Sequence, residues 1–319
     1  MAVATTVELS YCVVSAGRRD LLLRCLEAVA REREGLEFAT ETLVLDNASD
    51  DGSDAVATSG VRVIAGSRRR GKPENANELL EAARGRYCLL LDDDAVLEPG
   101  ASAALWSALE AEPRAAVAGA ALRRTDGRAQ ASAWRFPSVA TALAGALFVH
   151  RWTTVQSGGS ATRQVGWVQS AAMLVRRAPA LEIGGMDTRF FVYSDEVDFC
   201  RRLADAGWAT LFVPAAVAVH HEQLARGPVA PGSVAERRIV EFSRNRDAYV
   251  RKHHSAAAAA AVRCLTAWAY AVRALGALLL PGHGARRYWR HVVATLRPAR
   301  GEGLREAAEA YNRGRPTIP

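Results

Sequence analysis

Three consecutive carboxylates, Asp92, Asp93 and Asp94, directly follow an apolar run at residues 87–91. An apolar run of this length, bounded by charge, predicts a buried parallel strand, and open α/β sheets bind ligands beyond the carboxyl ends of such strands. Three adjacent negative charges repel one another unless a cation neutralises them, and carboxylate oxygens suit Mg²⁺ or Mn²⁺. From the motif alone, a solvated acidic turn is an equal alternative.

The residues before this motif alternate between strand and helix patterns. Strands are predicted at 7–14, 42–45, 61–64 and 87–91, and helices at 20–32 and 74–83. Strands that alternate with helices imply a parallel sheet with right-handed crossovers. The turn after the first strand, residues 15–19, contains one glycine. Because a dinucleotide-binding turn needs several, the sequence argues against a dinucleotide oxidoreductase.

Two further polar stretches share the carboxyl edge of the predicted sheet. Asp46 and Asn47 follow the second strand, where an aspartate can accept from a base N–H or a ribose hydroxyl; an Asx-turn or a helix cap is the structural alternative. Residues 68–72, Arg-Arg-Arg-Gly-Lys, form a basic loop that matches a diphosphate, although such a run is often only solvated. Together these groups predict a nucleotide-diphosphate site.

The composition indicates a globular protein of 319 residues, of which 50% are hydrophobic, with a formal net charge of +7. Almost all of the positive charge is arginine, because Lys72 and Lys252 are the only lysines. Arginine suits bidentate phosphate contacts, and a GC-rich coding bias explains the same composition without any function. The basic residues are dispersed without interleaved aromatic residues, which argues against nucleic-acid binding.

The cysteines and the N-terminus bear on location. Five cysteines are scattered without CxxC or CxH spacing, which predicts reduced thiols and neither a zinc site nor a disulfide framework. The first residues lack a basic segment followed by an apolar one, so no signal peptide is predicted. The expected location is the cytoplasm.

Five motifs, in the expected order, resemble those of family 2 glycosyltransferases with the GT-A fold. They are the Asp-Asn-Ala-Ser turn at 46–53, the helix start at 71–77, the Asp-x-Asp motif at 92–94, an acceptor-side strand at 166–177, and the block at 184–202. The last block resembles GGFDExFFxYxEDxDLxxR, with Met186 for Phe and Asp195-Glu196 for Glu-Asp. The resemblance spans roughly residues 7–254, and residues 241–254 resemble the rhamnosyltransferase-like branch.

The resemblance implies an α/β GT-A fold, an open and mostly parallel twisted sheet flanked by helices. Residues 1–230 are expected to form the catalytic domain, with the nucleotide-binding half at 1–100 and the acceptor-side half at 101–230. Residues 231–319 are expected to form a helical C-terminal region that associates with a membrane or with a second subunit.

The resemblance also implies an inverting, metal-dependent transfer from a nucleotide-diphosphate sugar, dTDP-rhamnose-like or a UDP-sugar, to a hydroxyl of a glycan, lipid-linked or small-molecule acceptor. Glu196 is the expected base, with Asp195 as the second candidate. Asp94 and His220, six residues after Pro214, are the expected ligands of Mg²⁺ or Mn²⁺, with Asp92 beside them. The expected nucleotide-sugar-binding residues are Ser15, Asp46, Asn47, Arg69, Lys72, Asn77, Asp92 and Asp93, and the expected acceptor-side residues are Trp167, Ser170 and Tyr193.

Two other classes of protein remain as alternatives. A nucleotidyltransferase acting on sugar phosphates would share the sheet and the carboxylates, but it should carry a Gly-rich, Lys-containing signature near the first strand. A catalytically silent nucleotide-sugar-binding protein would lack the base, whereas the pair Asp195-Glu196 is intact. Asp198 is expected to be structural and to pair with Arg201 or Arg202.

The last third of the chain contains an apolar, alanine-rich stretch at 255–280, interrupted by Arg263 and Arg273. Because an arginine costs about 2.5–3.5 kcal/mol at a bilayer centre, a spanning helix is disfavoured. An amphipathic helix at the membrane surface, with contacts through residues 255–290 and with Trp268 and Tyr270 as anchors, fits better. The alternative is a helix packed against the catalytic domain or against a second subunit of a homo-oligomer.

Overall fold

The computed structural model describes residues 6–56, 60–221, 229–279 and 284–314. Its strands are β1 (Leu9–Ser15), β2 (Thr40–Asp46), β3 (Val61–Ala65), β4 (Tyr87–Asp92), β5 (Ala95–Leu97), β6 (Ala115–Arg123), β7 (Ala129–Gln130), β8 (Ala133–Trp134), β9 (Arg163–Val165), β10 (Trp167–Val168), β11 (Ala172–Arg176) and β12 (Ala209–His220). Its helices are α1 (Arg19–Glu34), α2 (Lys72–Ala82), α3 (Ala101–Ala111), α4 (Val139–Ala146), α5 (His150–Thr153), α6 (Arg177–Glu182), α7 (Asp195–Asp205), α8 (Val234–His253), α9 (Ala256–Leu279), α10 (Ala285–Leu296) and α11 (Leu304–Gly314).

The main sheet is mixed and has the order β3-β2-β1-β4-β11-β6-β12-β5. Its first four strands are parallel, β11 is antiparallel to both neighbours, and β12 is parallel to β6. The six strands and helices predicted before the acidic motif are confirmed, each to within two residues at either end. The parallel half therefore brings the ends of β1, β2 and β4 to one edge, where Ser15 pairs in register with Asp46.

The apolar run of β4 is buried because both faces of the strand are covered. Tyr87, Leu89 and Leu91 belong to the core cluster that α1 and α3 also line. Cys88 and Leu90 belong to the cluster on the other face, against α2 and α7. Alternate side chains of a strand point to opposite faces, so a strand that is buried on both sides must be apolar throughout. Cys264 is exposed, and the other four cysteines are buried.

The C-terminal region is helical, as predicted, and α9 packs against α4, α8 and α10. Among the described residues, α9 is the one helix that is long and apolar enough to cross a membrane, a property that core helices share. Residues 280–283 of the predicted surface segment lie outside the described residues.

Asp198 joins the helix that carries the predicted base to the first C-terminal helix. Its carboxylate is fully buried in α7 and accepts from Arg202 at 2.7 Å, from His253 at 2.7 Å and from Lys252 at 2.5 Å. Burial alone would raise the pKa of Asp198, but these donors hold it below its usual value. The predicted pairing with Arg202 is confirmed, whereas Arg201 pairs with Asp205.

We expect Asp198→Asn to lower the free energy of unfolding by about 2–4 kcal/mol, because it leaves buried donors without their charge partner. The matched control is Asp205→Asn in the exposed pair of the same helix, which should change it by less than about 1 kcal/mol. The measurement is urea unfolding from pH 7 to pH 3. The pKa of Asp198 is lower in the folded than in the unfolded protein. The difference in the free energy of unfolding between wild type and Asp198→Asn should therefore be largest near neutral pH and shrink below about pH 4. A difference that is independent of pH would contradict this assignment.

Candidate functional site

The acidic triplet at the end of β4 is held by cations from other loops. Asp93 is buried, accepts the Ala16 N–H at 3.0 Å and pairs with the Arg18 guanidinium, which also donates to Asp94 at 2.7 Å. Burial raises the pKa of Asp93 to about 7, against the opposing effect of Arg18. Arg18 carries no predicted role from the sequence, although its place just after β1 puts it on the same edge of the sheet as the triplet.

Asp92, Asp94 and His220 form a group of three whose ligand atoms all lie within 4.8 Å of one another. His220 Nε2 lies 3.3 Å from Asp94 Oδ1 and 4.0 Å from Asp92 Oδ2. Burial alone would lower the pKa of His220, but the hydrogen bond with Asp94 and the charges of both carboxylates outweigh burial and raise it. Antiparallel pairing of β5 with the end of β12 sets Ala95 opposite His220, which brings the imidazole to the triplet.

Gln130, on β7, orients the imidazole and carries no predicted role from the sequence. Its amide nitrogen lies 3.2 Å and its amide oxygen 3.3 Å from His220 Nδ1, and the same nitrogen lies 3.4 Å from Gln169 Oε1. The contact with Gln130 occupies Nδ1 and leaves Nε2 on the side of the carboxylates, the arrangement found in histidines that bind metals. No spacing rule could have indicated this contact, because it depends on the pairing of β7 with β6.

These residues fit a hard divalent cation. Two carboxylates and one imidazole converge, which suits Mn²⁺ and tolerates Mg²⁺. Arg18 contacts Asp94 Oδ2 and Lys72 contacts Asp92 Oδ1, whereas His220 faces Asp94 Oδ1. A cation that neutralises the remaining carboxylate charge would therefore bind on the side facing His220. His221 directly follows β12, and its backbone N–H donates to the Asp94 carbonyl at 3.0 Å.

Lys72, at the start of α2, lies between the acidic triplet and the predicted base. Its ammonium contacts Asp92 Oδ1 at 2.5 Å. Burial alone would lower the pKa of Lys72, but the charges of Asp92, Asp195 and Glu196 raise it. The backbone fixes this position, because the Lys72 N–H donates to the Phe191 carbonyl at 2.7 Å and a Cβ on Gly71 would lie 2.7 Å from the same oxygen.

The predicted nucleotide-binding turn after β2 lies beside the basic loop. Asp46 is buried and accepts the Ser49 N–H at 3.0 Å through Oδ2, while its Oδ1 and the Ser15 hydroxyl have no hydrogen-bond partner among the described residues. Asn47 joins the two loops, because its amide bonds the Arg70 N–H at 2.8 Å and the Arg70 carbonyl at 2.9 Å. Buried polar atoms without partners mark this edge as one that a ligand can complete.

The C-terminal helix α11 reaches the same loops, which the sequence did not predict. Asn312 accepts the Arg69 N–H at 2.8 Å and donates to the Arg69 carbonyl at 2.9 Å. The Arg69 guanidinium lies 3.4 Å from the centre of the Tyr311 ring, and the Tyr311 hydroxyl bonds Asp50. Arg69 is therefore held by α11 as well as by its own loop.

Asp195 and Glu196 form the first turn of α7. Asp195 is fully buried, and neither of its carboxylate oxygens has a hydrogen-bond partner within the described ranges. The pKa of Glu196 is raised well above its usual value, by burial first and by the charge of Asp195 second. Tyr193 and Ser194, just before the helix, both have a left-handed backbone, with φ of 67° and 63°. Two such residues in succession cost roughly 1–3 kcal/mol each, and strain of this kind clusters at functional sites.

The remaining predicted residues are distributed around this centre. Trp167 stacks on Trp134, with ring centres 4.3 Å apart. Ser170 is buried, and its hydroxyl has no partner among the described residues. Tyr193 accepts from Arg238. Asn77 lies apart from the triplet, where its amide bonds the Met186 N–H at 2.7 Å and the Met186 carbonyl at 2.9 Å. Its role in binding a nucleotide sugar stays a prediction.

Comparisons with known proteins agree with this geometry. A family described as "Glycosyltransferase like family 2" matches residues 8–271. An N-acetylglucosaminyl-diphospho-decaprenol L-rhamnosyltransferase of Mycobacterium tuberculosis is 30% identical over 218 residues, which are 60% of this chain and 71% of that protein. The rhamnosyltransferase WbbL of Escherichia coli K12 is 37% identical over 57 residues, 18% of this chain and 22% of WbbL.

Two solved structures share the fold. A mannosyltransferase from Pyrobaculum calidifontis, in complex with GDP-Man and Mn²⁺, aligns with a TM-score of 0.55 and 16% identity over 98% of this chain and 88% of its own. GalNAc-T7 with UDP, GalNAc and Mn²⁺ aligns with a TM-score of 0.56 and 14% identity, over 99% of this chain and 59% of its own. The fold predicted from the sequence is confirmed. This chain is a rhamnosyltransferase-like member of glycosyltransferase family 2 with the GT-A fold.

Proposed function

We propose that this glycosyltransferase catalyses inverting, metal-dependent transfer from a nucleotide-diphosphate sugar, dTDP-rhamnose-like or a UDP-sugar, to a hydroxyl of a lipid-linked diphosphate acceptor. One observation carries the proposal: Lys72 lies between two acidic groups. On one side it contacts Asp92, which forms a group of possible metal ligands with Asp94 and His220. On the other side are Asp195 and Glu196, whose charges raise the pKa of Lys72. The name of the M. tuberculosis relative supports the transferred group and the class of acceptor.

In this proposal the nucleotide lies along the edge formed by Ser15, Asp46 and the loop containing Arg69 and Lys72. Asp92, Asp94 and His220 would hold Mn²⁺ or Mg²⁺, which when bound offsets the negative charge of the departing diphosphate. Lys72 offers a second positive charge to the same phosphate oxygens, and its hydrogen bond to Asp92 keeps it in place.

Glu196 would take the proton of the acceptor hydroxyl. The hydroxyl oxygen then forms its bond to the anomeric carbon from the side opposite the diphosphate, whose oxygen leaves with the electron pair of the broken bond. The configuration inverts in this single displacement, and no covalent enzyme intermediate is formed. A raised pKa suits the role, because a base is most effective when its pKa lies near the working pH. Asp195 would orient the acceptor through its unpartnered oxygens.

We further propose peripheral association of the C-terminal region with the inner face of the cell membrane. Exposed apolar side chains on α9 and near α4 support it: Leu147, Trp152, Trp268, Leu275, Leu278 and Leu279 are each at least 60% exposed. Arg286 and Arg287 on α10 add positive charge that anionic lipids attract.

The overall proposal is tested by incubating the purified chain with dTDP-rhamnose and a panel of UDP- and GDP-sugars, with and without Mn²⁺. Release of nucleoside diphosphate that depends on both Mn²⁺ and a lipid-linked acceptor is expected. Nucleotide transfer to a sugar phosphate instead would show a nucleotidyltransferase.

The metal assignment predicts that Asp94→Asn weakens Mn²⁺ binding by roughly 100-fold, because it removes a charged ligand that faces His220. The matched control is Asp93→Asn, since the Asp93 oxygens face Ala16 and Arg18 rather than His220. Calorimetric Mn²⁺ titrations, with circular dichroism to verify folding, measure both. Equal losses of Mn²⁺ affinity in the two variants would contradict the assignment of Asp94 as a metal ligand.

The base assignment predicts that Glu196→Gln lowers kcat by about 10³-fold or more while the donor Kd stays within about threefold, because a base acts in the transition state. Wild-type kcat/KM should fall as the pH drops through the raised Glu196 pKa, since the protonated carboxyl cannot accept. If Asp195→Asn is inactive and Glu196→Gln is active, the two roles are exchanged; if both stay active, the mechanism is wrong.

The contact of α11 with the basic loop predicts a role in donor affinity. Asn312→Ala removes both hydrogen bonds to the Arg69 backbone, and we expect the nucleoside-diphosphate Kd to rise about 5- to 10-fold, because the loop is no longer preorganised. Titrations with UDP, GDP and dTDP in Mn²⁺ measure this change, and Glu309→Ala, on the exposed side of the same helix, serves as the control. An unchanged Kd for Asn312→Ala would show that α11 is only a structural cover.

A further inference from the structure

We infer that a second cleft, bounded by the β8–β10 ladder and helices α4, α8, α9 and α10, binds the diphosphate and the first isoprenoid units of a polyprenyl-diphosphate-linked acceptor. This inference rests on the proposed function and adds the place where the acceptor is held. The cleft has a volume of about 480 Å³, within the range of roughly 300–1,000 Å³ that is usual for ligand pockets.

The walls of the cleft are mostly apolar and aromatic. The stacked pair Trp134 and Trp167 forms one side, and Phe242, Tyr270 and Tyr288 line the others. Aromatic and apolar walls suit an unsaturated hydrocarbon, because binding removes apolar surface from water.

The charges of the cleft are all positive. Arg135, Arg246 and Arg273 line it together with His150, and the lining contains no Asp or Glu. Arg246 donates to the Thr295 hydroxyl at 3.1 Å, and Arg273 donates to the Ala269 carbonyl at 3.1 Å. The charge of Asp247, which is not part of the lining, acts on Arg246 from outside the cleft. Cations that line an apolar cleft without a carboxylate in the same lining are complementary to a diphosphate. The buried Nδ1 of His150, which has no partner in the described ranges, offers one more polar contact.

One wall of the cleft lies beside the helix that carries the proposed base. Trp167 lines the cleft and packs against the apolar cluster that includes Phe190 and Val197, the residue after Glu196. An acceptor whose diphosphate lies in the cleft can therefore present its sugar near Glu196.

Exposed apolar side chains neighbour several residues that line the cleft. Thr141, Ala142 and Gly145 of α4 line it, while Leu143 and Leu147 nearby are exposed. On α9, Arg273 lines the cleft and Leu275 is 64% exposed. A prenyl chain that is longer than the cleft would leave it along apolar side chains, as an acceptor anchored in a membrane requires.

The test uses farnesyl diphosphate as the probe and the full-length protein. It is run in EDTA, so that the diphosphate cannot bind through a metal at Asp92 and Asp94. Quenching of tryptophan fluorescence and calorimetry give the Kd. Farnesyl diphosphate should bind at least about 10-fold more tightly than farnesol or inorganic pyrophosphate, because each of these lacks one half of the recognised chemistry.

Three variants separate the cleft from the rest of the surface. Arg273→Gln should raise the Kd about 10-fold or more through lost charge-assisted contacts. Gly145→Phe fills the cleft, and a Cβ at Gly145 meets nothing within 4 Å, so this variant tests the site even if the arginine variant is unstable. Arg31→Gln, at an exposed position of α1, makes the same charge change outside the lining and should leave the Kd unchanged.

Absence of binding, or binding that Gly145→Phe does not weaken, overturns the inference. Equal competition by phosphatidylglycerol vesicles also overturns it, because the cleft would then be a membrane-lipid site. Release of nucleoside diphosphate from the nucleotide sugar by the wild type, in Mn²⁺ and with a lipid-linked acceptor present, is measured separately. Donor turnover without farnesyl diphosphate binding rejects the cleft alone, whereas binding without donor turnover rejects the proposed transfer.

Discussion

Three negative charges at the end of one buried strand constrain the rest of the site, because each carboxylate needs a partner from a different part of the chain. Asp93 depends on the loop after β1, Asp92 on the start of α2, and Asp94 on both Arg18 and the end of β12. Burial of unpaired carboxylates would cost several kcal/mol per ion by usual estimates, so the loops that provide these cations cannot move independently of the sheet. Under the proposed function, an edge that binds a nucleotide diphosphate is thus built around a cluster of carboxylates.

The C-terminal helices belong to this arrangement. Contacts from α8 to Asp198 and from α11 to Arg69 cross the expected boundary at residue 230. They reach the helix of the proposed base and the loops proposed to bind the nucleotide, respectively. The alternative of a helix packed against the catalytic domain, predicted for residues 255–280, concerns α9 and neither α8 nor α11. α9 is partly packed and partly exposed, since one face packs on α4 and α8 while Leu278 and Leu279 remain exposed.

The sequence predicts the parallel half of the fold well because its signals are local. The run at 87–91 is apolar because β4 is covered on both faces, and the helices of this half show their own periodicity. The motif order also leads to Asp92, Asp94 and His220, which do meet. By contrast, Arg18, Gln130 and Asn312 reach the site through strand pairing or through contacts between distant segments. Their residue types are common on any surface, so no spacing distinguishes them. Likewise, the sequence gives no hint that the Asn77 amide is occupied by the Met186 backbone.

The position of Lys72 links the two chemical tasks of the proposed reaction. In the free protein its positive charge lowers the proton affinity of Glu196, against the larger effects of burial and Asp195. A bound diphosphate would offset this charge, because Lys72 can donate to phosphate oxygens while it keeps its contact with Asp92. Under the proposed function, Glu196 is therefore a stronger base when the donor is present than when it is absent. Such coupling favours proton removal from the acceptor only when an anomeric carbon is in place, and it needs no movement of the backbone, since Gly71 and Phe191 already fix the start of α2.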